Sequence, residues 1–291
     1  MNWRWAAVIS VIAASAVAVQ GHAATLDLRG AVARVIVVTE PRTDIKATLL
    51  SPNPRLPLNI AREGDKVVVS GSPSLTPWWL KMFGVMEVKC STAPDGSTVT
   101  VDGVGSVFQE QLPRLLIRMP LAARIKTSGC IVGSLLTANS LDLDIAGGDQ
   151  WTIGRVSGAF DLHDSGSGHV RTGDLGRLSA QIAGSVHVTT HAISDGLDMH
   201  VAGVGGLHAL QVSGPVDVQI AGQGTVNVSG GHATRFAVDI AGQGDVQDDG
   251  VADSLDVHIA GQGTVRVGKV LGRIDKEIAG QGSVIVGGIG Q

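Results

Sequence analysis

The chain has 291 residues, of which 40 are glycine and none is tyrosine, and only 16% are charged. A hydrophobic fraction of 44% excludes a disordered polar chain, and so many glycines among Val, Ile and Leu favour short strands joined by tight turns. The net charge of −4 and the lack of a basic run argue against nucleic-acid binding, which needs a cluster of positive charge.

The first 24 residues have the pattern of a secretory signal peptide. Arg4 supplies a positive charge, the apolar run Ala6–Val19 is too short to span a bilayer comfortably, and Gly21 and Ala23 place small residues at a cleavage site. The alternative is an uncleaved membrane anchor. No later apolar run has spanning length, so we expect a mature chain without a transmembrane segment. Its predicted location is the periplasm, the outer-membrane surface or the exterior of a Gram-negative-type bacterium.

Residues 25–122 predict an irregular β region. The strand-like runs Val35–Val38, Lys66–Val69 and Leu115–Ile117 are separated by proline-rich stretches. We interpret this region as an N-terminal cap, because the end of a repeat array otherwise exposes unpaired strand edges.

Cys90 and Cys130 are the only cysteines in the chain. They form no CxxC pair, and in an oxidising compartment two such residues more often form a disulfide than a redox or metal site. We therefore expect a bond that ties the cap to the first coil of the repeats.

Residues 123–291 contain an internal repeat. The sequence Ile-Ala-Gly-Gln-Gly occurs at 220–224, 240–244, 259–263 and 278–282, and weaker copies precede it. The first glycine of each copy defines the marker glycines, which are Gly129, Gly147, Gly166, Gly184, Gly203, Gly222, Gly242, Gly261 and Gly280. They are 18 to 20 residues apart, so each repeat is about 19 residues long.

Each repeat predicts two short strands. In Leu255–Ile259 apolar and polar residues alternate, which is the pattern of a strand with one buried face, and Thr264–Val267 follows after the glycine turn. About 19 residues are too few for a helical crossover, so the economical fold is an all-β parallel solenoid in which each strand stacks on its copy in the next coil. Ile240 then belongs to an inward apolar column, and the marker glycines supply corners with positive φ.

The repeats, with Ile182–Val188 and Ser165–Val170, resemble the head GIN domain family of auto-transporter adhesins, and so does the mature start at Leu26–Gly30. The resemblance is strongest over residues 125–287. It implies a secreted or envelope-associated bacterial protein with a single-stranded, right-handed β-helix core and an adhesive role. It carries no catalytic residue over to this chain.

Two outward rows of polar residues are candidate ligand contacts. Five positions before the marker glycines stand the residues of the aspartate row: Asp142, Asp161, Asp198, Asp217, Asp256 and Asp275. Three positions before them stand the residues of the histidine row: His163, His200 and His258. Stacking predicts that the aspartates pair across neighbouring coils, roughly 5 Å apart. One interpretation is a solvated edge that opposes aggregation; the other is a face that binds divalent cations such as calcium, or a cationic or hydroxyl-rich polymer.

The glutamine row follows the marker glycines and consists of Gln223, Gln243, Gln262 and Gln281. We expect its amides to form a hydrogen-bonded ladder that stabilises the turns, rather than to contact a ligand. The Gly-Gln-Gly turns are not a phosphate loop, since no helix and no Gly-Lys-Ser/Thr is expected after them. The sequence also lacks the GxSxG and HExxH motifs of common hydrolases.

These patterns favour a non-enzymatic envelope or secreted protein, without a cofactor, that has a structural, adhesive or extended-ligand-binding role. Polysaccharide or cell-surface components are the expected partners, nucleic acid is not, and the exposed terminal coil offers a contact for a homo-oligomer. The alternative is a polysaccharide-active β-helix enzyme whose carboxylates cluster across adjacent coils of the aspartate row.

Overall fold

The computed structural model describes residues 24–71, 90–93 and 97–289, so the predicted signal peptide, apart from residue 24, lies outside the described residues. Strands make up 78% of the described residues, and most of them form a solenoid of about nine turns with coils of about 19 residues. The all-β solenoid prediction is confirmed. Among the described residues, no helix is long and apolar enough to cross a bilayer.

The strands of the N-terminal region are β1 Thr25–Glu40, β2 Lys46–Ser51, β3 Leu58–Glu63, β4 Lys66–Gly71, β5 Cys90–Thr92, β6 Thr98–Val101, β7 Gly105–Phe108, β8 Arg114–Pro120 and β9 Ala122–Ala138. The strands that follow are β10 Ser140–Ile145, β11 Gly148–Asp164, β12 Ser167–Thr172, β13 Asp174–Ile182, β14 Ser185–Ile193, β15 Leu197–Val201, β16 Val204–Ile220, β17 Gln223–Val228, β18 Gly231–Ile240, β19 Gln243–Ala252, β20 Leu255–Ile259, β21 Gln262–Val270, β22 Ile274–Ile278 and β23 Gln281–Ile289.

Successive coils of the repeat region lie parallel and in register. β18 pairs with β20 and β20 with β22, which aligns Ile240 with Ile259 and Ile278. Neighbouring coils are therefore about 4.8 Å apart. Ile240 and Ile259 are each 1% exposed, and the inward Leu, Val and Ile side chains of the coils form one continuous core. The period-2 alternation in the sequence thus produces the buried interior directly.

The marker glycines are required for close packing rather than for positive φ, which corrects the expectation about corners. The positive-φ residues of the described segments are other glycines, such as Gly196, Gly214 and Gly231. A Cβ atom built on Gly242 would collide with the backbone carbonyl oxygen of Gly222 in the preceding coil, and the other marker glycines meet the same obstacle. Any larger residue would therefore force neighbouring coils apart.

Strand β1 is a coil of the solenoid, whereas the sequence placed it in a separate cap. It runs parallel to β9 along most of its length, and Leu26 is aligned there with Ile125. On its other side it pairs in parallel with β4 and then with β8. The long segment between β1 and β9 interrupts the 19-residue period, which is why the spacing of glycines did not reveal this coil.

The N-terminal end of the solenoid is closed by antiparallel strands. β3 pairs with β4 and β2 pairs with β8, both antiparallel. A small antiparallel sheet of β5, β6 and β7 packs beside them over a second apolar cluster that contains Val32, Val99 and Leu112. A disulfide joins Cys90 in that sheet to Cys130 in β9, with 6.1 Å between the two Cα atoms.

The other end of the described chain is different. β22 pairs with β20 and β23 with β21, and no strand within the described ranges covers their outer edges. Ile278 is 41% exposed there, although it shares a column with Ile240. Lys276 stands in register with the buried Val257, so a lysine occupies an inward position that is apolar in the preceding coils.

Candidate ligand-binding faces

The aspartate row lies along one sheet of the solenoid with the expected register. Three pairs of adjacent coils align carboxylates directly: Asp142 with Asp161, Asp198 with Asp217, and Asp256 with Asp275. The residues between them are Ser179 and Ala237. Like charges are therefore placed about 5 Å apart at three points of this face.

Arginines accompany four of the six aspartates, which the sequence reading missed. Arg124 lies 2.6 Å from Asp142, Arg235 lies 3.6 Å from Asp256, and two further contacts join Arg177 to Asp198 and Arg273 to Asp275. These ion pairs are partly exposed, so each is worth about 1 kcal/mol or less. They nevertheless lower the negative potential that a bound cation would need.

The histidine row lies two residues further along the same strands. His200 and His258 contact carboxylates of this face, at 2.8 Å from Asp198 and 3.2 Å from Asp239. Gln181 separates His163 from His200, so those imidazoles are two coils, or roughly 10 Å, apart. Among the described residues, no group of three or more His, Cys, Asp or Glu side chains is arranged to hold a metal ion.

A groove of about 680 Å³ runs beside the histidine row. His163 and His200 line one wall, while Ala183 and Ala202 on the marker turns line the other. The wall on the marker turns offers mostly methyl groups, and its polar side chain there is Ser165. The groove suits an apolar edge of a ligand better than a row of hydroxyl groups.

The glutamine row lies on the other side of the marker turns. Gln223, Gln243, Gln262 and Gln281 stack in register over four consecutive coils, as expected, and all four are exposed. The expected amide ladder is wrong: within the described part of the chain, these four side chains make no hydrogen bond to one another or to any other group. Their donors and acceptors face solvent.

A second row lies two residues beyond the glutamines, on the same face. It contains Thr225, Asp245, Thr264 and Ser283 in register. The hydroxyl of Ser283 donates to the Thr264 hydroxyl at 3.4 Å. Between the glutamine row and this row runs a trough of about 740 Å³, whose floor is the backbone of glycines such as Gly244 and Gly263. We call it the glutamine trough.

Two stacked imidazoles lie in the same register as this second row, in coils that precede Thr225. The rings of His169 and His187 are 5.7 Å apart between centroids and nearly parallel. Burial lowers the pKa of His169, and the nearby His187 and Arg171 lower it further. His187 also lines the trough, and a Cβ on Gly206 would press against its ring, so glycine at 206 leaves room for it.

Carboxyl groups also lie inside the solenoid, where the sequence reading did not look for them. Asp149 accepts hydrogen bonds from the Thr127 hydroxyl and, at 2.9 Å, from the backbone N–H of Ile131. Burial raises the pKa of Asp149 to about 7, and the charge of Asp164 acts in the same direction. This group stabilises the corner between two strands and faces no groove.

Asp164 and Asp248 are structural as well. Each is buried and accepts the backbone N–H of the glycine two residues ahead, Gly166 at 3.1 Å and Gly250 at 3.0 Å. Burial raises the pKa of both carboxyls. Asp164 is aligned with Ile182 in the next coil, so the register alone marks it as a polar residue in an apolar column.

Comparison with known proteins bears on these repeats. Residues 169–290 match the family model described as "Putative auto-transporter adhesin, head GIN domain". The match covers the glutamine trough and four of the six residues of the aspartate row. The family description names an adhesin-like domain, and together with the solenoid fold it fits a structural or adhesive role.

No functionally curated protein matches the chain. A solved structure described as a "Putative lipid binding protein" from Parabacteroides distasonis ATCC 8503 is similar over 91% of this chain and 92% of that chain, with 13% identity and a TM-score of 0.37. A likeness at that level carries no conclusion about function.

Proposed function

We propose that this protein is exported and acts in the cell envelope, or outside the cell, as a non-enzymatic adhesive or structural protein that binds an extended ligand such as a polysaccharide. The observation that carries the proposal is the register of exposed polar rows over consecutive coils. A row with a repeat of about 4.8 Å presents the same group again and again along one line, which matches a linear polymer better than a compact molecule.

Export is supported by two features. The leader has the charge, length and small residues of a signal peptide. The Cys90–Cys130 disulfide is of the kind that persists in oxidising compartments such as the periplasm. Amino-terminal sequencing of periplasmic or secreted material should find a start near residue 24, and soluble protein that retains Met1 would contradict export.

Binding is tested on the mature chain with a glycan array and with intact cells of the producing bacterium. We expect signal from one class of polymeric glycan and little from its monomers, because only a polymer engages several coils together. If array, cell surface and purified envelope polysaccharides all give no signal, the adhesive and ligand-binding proposal is wrong.

The competing function is a polysaccharide-active enzyme on the aspartate row. It is favoured by the three aligned carboxylate pairs, since glycoside hydrolysis needs two carboxyl groups on one face. The arginines that neutralise four of these aspartates weigh against it. Product release from polyuronates, assayed with and without calcium, would establish the enzyme; the non-enzymatic proposal expects none.

A further inference from the structure

Four identical side chains in the glutamine row have no structural explanation within the coil itself. The isoleucine fills the core in the first three Ile-Ala-Gly-Gln-Gly copies, and the first glycine of every copy avoids a collision with the preceding coil. The glutamine does neither, because its side chain is exposed and makes no hydrogen bond in the structure. Folding therefore places no demand on this position that requires an amide.

Other exposed rows of the same coils are not uniform. At the histidine-row position, the four coils that carry the glutamines have Gln219, Asp239, His258 and Glu277. That row varies although Gln219 and His258 contact neighbouring side chains, so the repeat itself does not impose one residue on an exposed position. Uniform glutamine at one exposed row is thus a feature of the trough and not of the repeat as a whole.

The chemistry of the glutamine trough points to hydroxyl groups. An amide offers both a donor and an acceptor, which is what a sugar hydroxyl needs on its two sides. The opposite wall adds the hydroxyls of Thr225, Thr264 and Ser283. The floor between the two rows is backbone, because the intervening residues Gly224, Gly244 and Gly263 alternate to the inner side, where a Cβ would meet core isoleucines.

The charge of the trough selects among polymers. Its lining contains no lysine or arginine, and Asp245 is its one carboxylate among the described residues. A polyanion such as a polyuronate would meet no cation and one like charge there. The row from Val204 to Gln281 covers four coil steps, or about 19 Å, which is long enough for several sugar units of an uncharged chain.

We infer that the glutamine trough is the binding site for a neutral, hydroxyl-rich polysaccharide that lies along the solenoid axis. This inference rests on the proposed function and adds to it the face and the ligand class. The amides of successive coils hold successive sugar units, and the hydroxyl row holds the opposite edge of the chain.

The test compares the mature wild-type protein with two double variants by affinity electrophoresis in gels that contain a neutral glucan, a neutral galactomannan or alginate. The trough variant is Gln243→Ala with Gln262→Ala. The control is Gln181→Ala with Gln219→Ala, the same chemical change on two exposed glutamines of the histidine row. Melting temperatures of all three proteins verify that each is folded.

We expect wild type to bind a neutral polymer and not alginate, and the trough variant to bind about ten- to a hundredfold more weakly, as the loss of two to four hydrogen bonds predicts. The control variant should bind like wild type. If the control loses affinity and the trough variant does not, the ligand lies on the other face, and the inference is wrong while the proposed function stands.

Two other outcomes would contradict the inference in different ways. Preference for alginate over both neutral polymers would contradict the ligand class but leave polysaccharide binding intact. Binding of wild type to no polysaccharide, with capture of a surface protein by the same trough residues, would remove both the inference and the polysaccharide part of the proposed function.

Discussion

The two ends of the described solenoid stop the stacking of coils in different ways. At the N-terminal end, antiparallel strands β2 and β3 cover the parallel strands, and Ile117 in β8 is 0% exposed. Asp27 is held there by Lys66 at 2.5 Å and by Arg29 at 2.8 Å. At the last described coil nothing comparable is present, and Ile278 is 41% exposed.

At that second end, a charged side chain in an inward position opposes further stacking. Lys276 occupies an inward position, aligned with the buried Val257, so a further coil stacked on it would have to bury a charge. Inward charged residues are one way in which natural sheets discourage edge-to-edge association. One end is thus closed by added structure, and the other is protected by a single residue.

The largest expected effect comes from a charge placed in the covered end. Ile117→Asp should cost about 5 kcal/mol or more of unfolding free energy, because an unpaired carboxylate would be buried in the core. Ile278→Asp should cost less than about 1 kcal/mol, since that side chain is already half in water. Urea unfolding of both variants measures the difference, and equal losses would mean that the two ends are equally closed.

Removing the disulfide should loosen the covered end alone. Cys90 and Cys130 are 40 residues apart, and chain-entropy estimates for such a loop give about 4 kcal/mol. Hydrogen exchange of the Cys90→Ser, Cys130→Ser variant should show faster exchange in the N-terminal sheet and no change in β20 to β23. A reducing agent should destabilise wild type and leave the variant as it is; uniform loss of protection along the chain would show that the bond supports the whole solenoid.

The buried Asp149 should make stability depend on pH near the covered end. Its pKa is raised from 3.8 to about 7, so the folded protein retains a proton that the unfolded chain has lost. The resulting stability is complete below about pH 4 and is lost as the pH rises to about 7, by up to about 3 to 4 kcal/mol. Asp149→Asn should flatten the melting temperature between pH 5 and 8, and an unchanged slope would show that another group titrates.

The smallest expected change in stability comes from Lys276→Val, but it should alter association. The variant presents an apolar end, and we expect its self-association to be roughly tenfold tighter than that of wild type, or about 1.4 kcal/mol. Lys269→Val removes the same charge from an exposed side position and serves as the control. Light scattering over a concentration series compares them, and dimers of wild type as tight as those of the variant would show that Lys276 does not protect this end.

Much of the fold was predictable because the marker glycines set the register. Once their spacing was read, the alignment of Asp198 with Asp217 and of Gln223 with Gln243 followed from stacking alone. The sequence did not predict strand β1 as part of the solenoid, because the segment between β1 and β9 breaks the 19-residue period. The inward Lys276 lies in the same frame, at a position where the preceding coils have apolar residues.

The details of the candidate sites were harder to predict from the sequence than the fold was. Arg177 and Arg235 pair with aspartates of the next coil. Most other coils carry different residues at this position, so the repeat pattern does not predict these ion pairs. The missing amide ladder depends on side-chain rotamers, which the sequence pattern does not contain. Asp149 is buried at a corner whose geometry depends on the three-dimensional path of two coils.

The column of marker glycines has a consequence for how such a protein changes in size. Each of these residues touches the backbone of the preceding coil, so point substitutions in the column are disfavoured while duplication of a whole 19-residue unit leaves every contact intact. Length is therefore free to vary in steps of one coil, about 4.8 Å. Each added unit would bring one more amide to the trough, so avidity for a long polymer would grow by copying a segment rather than by redesigning a site.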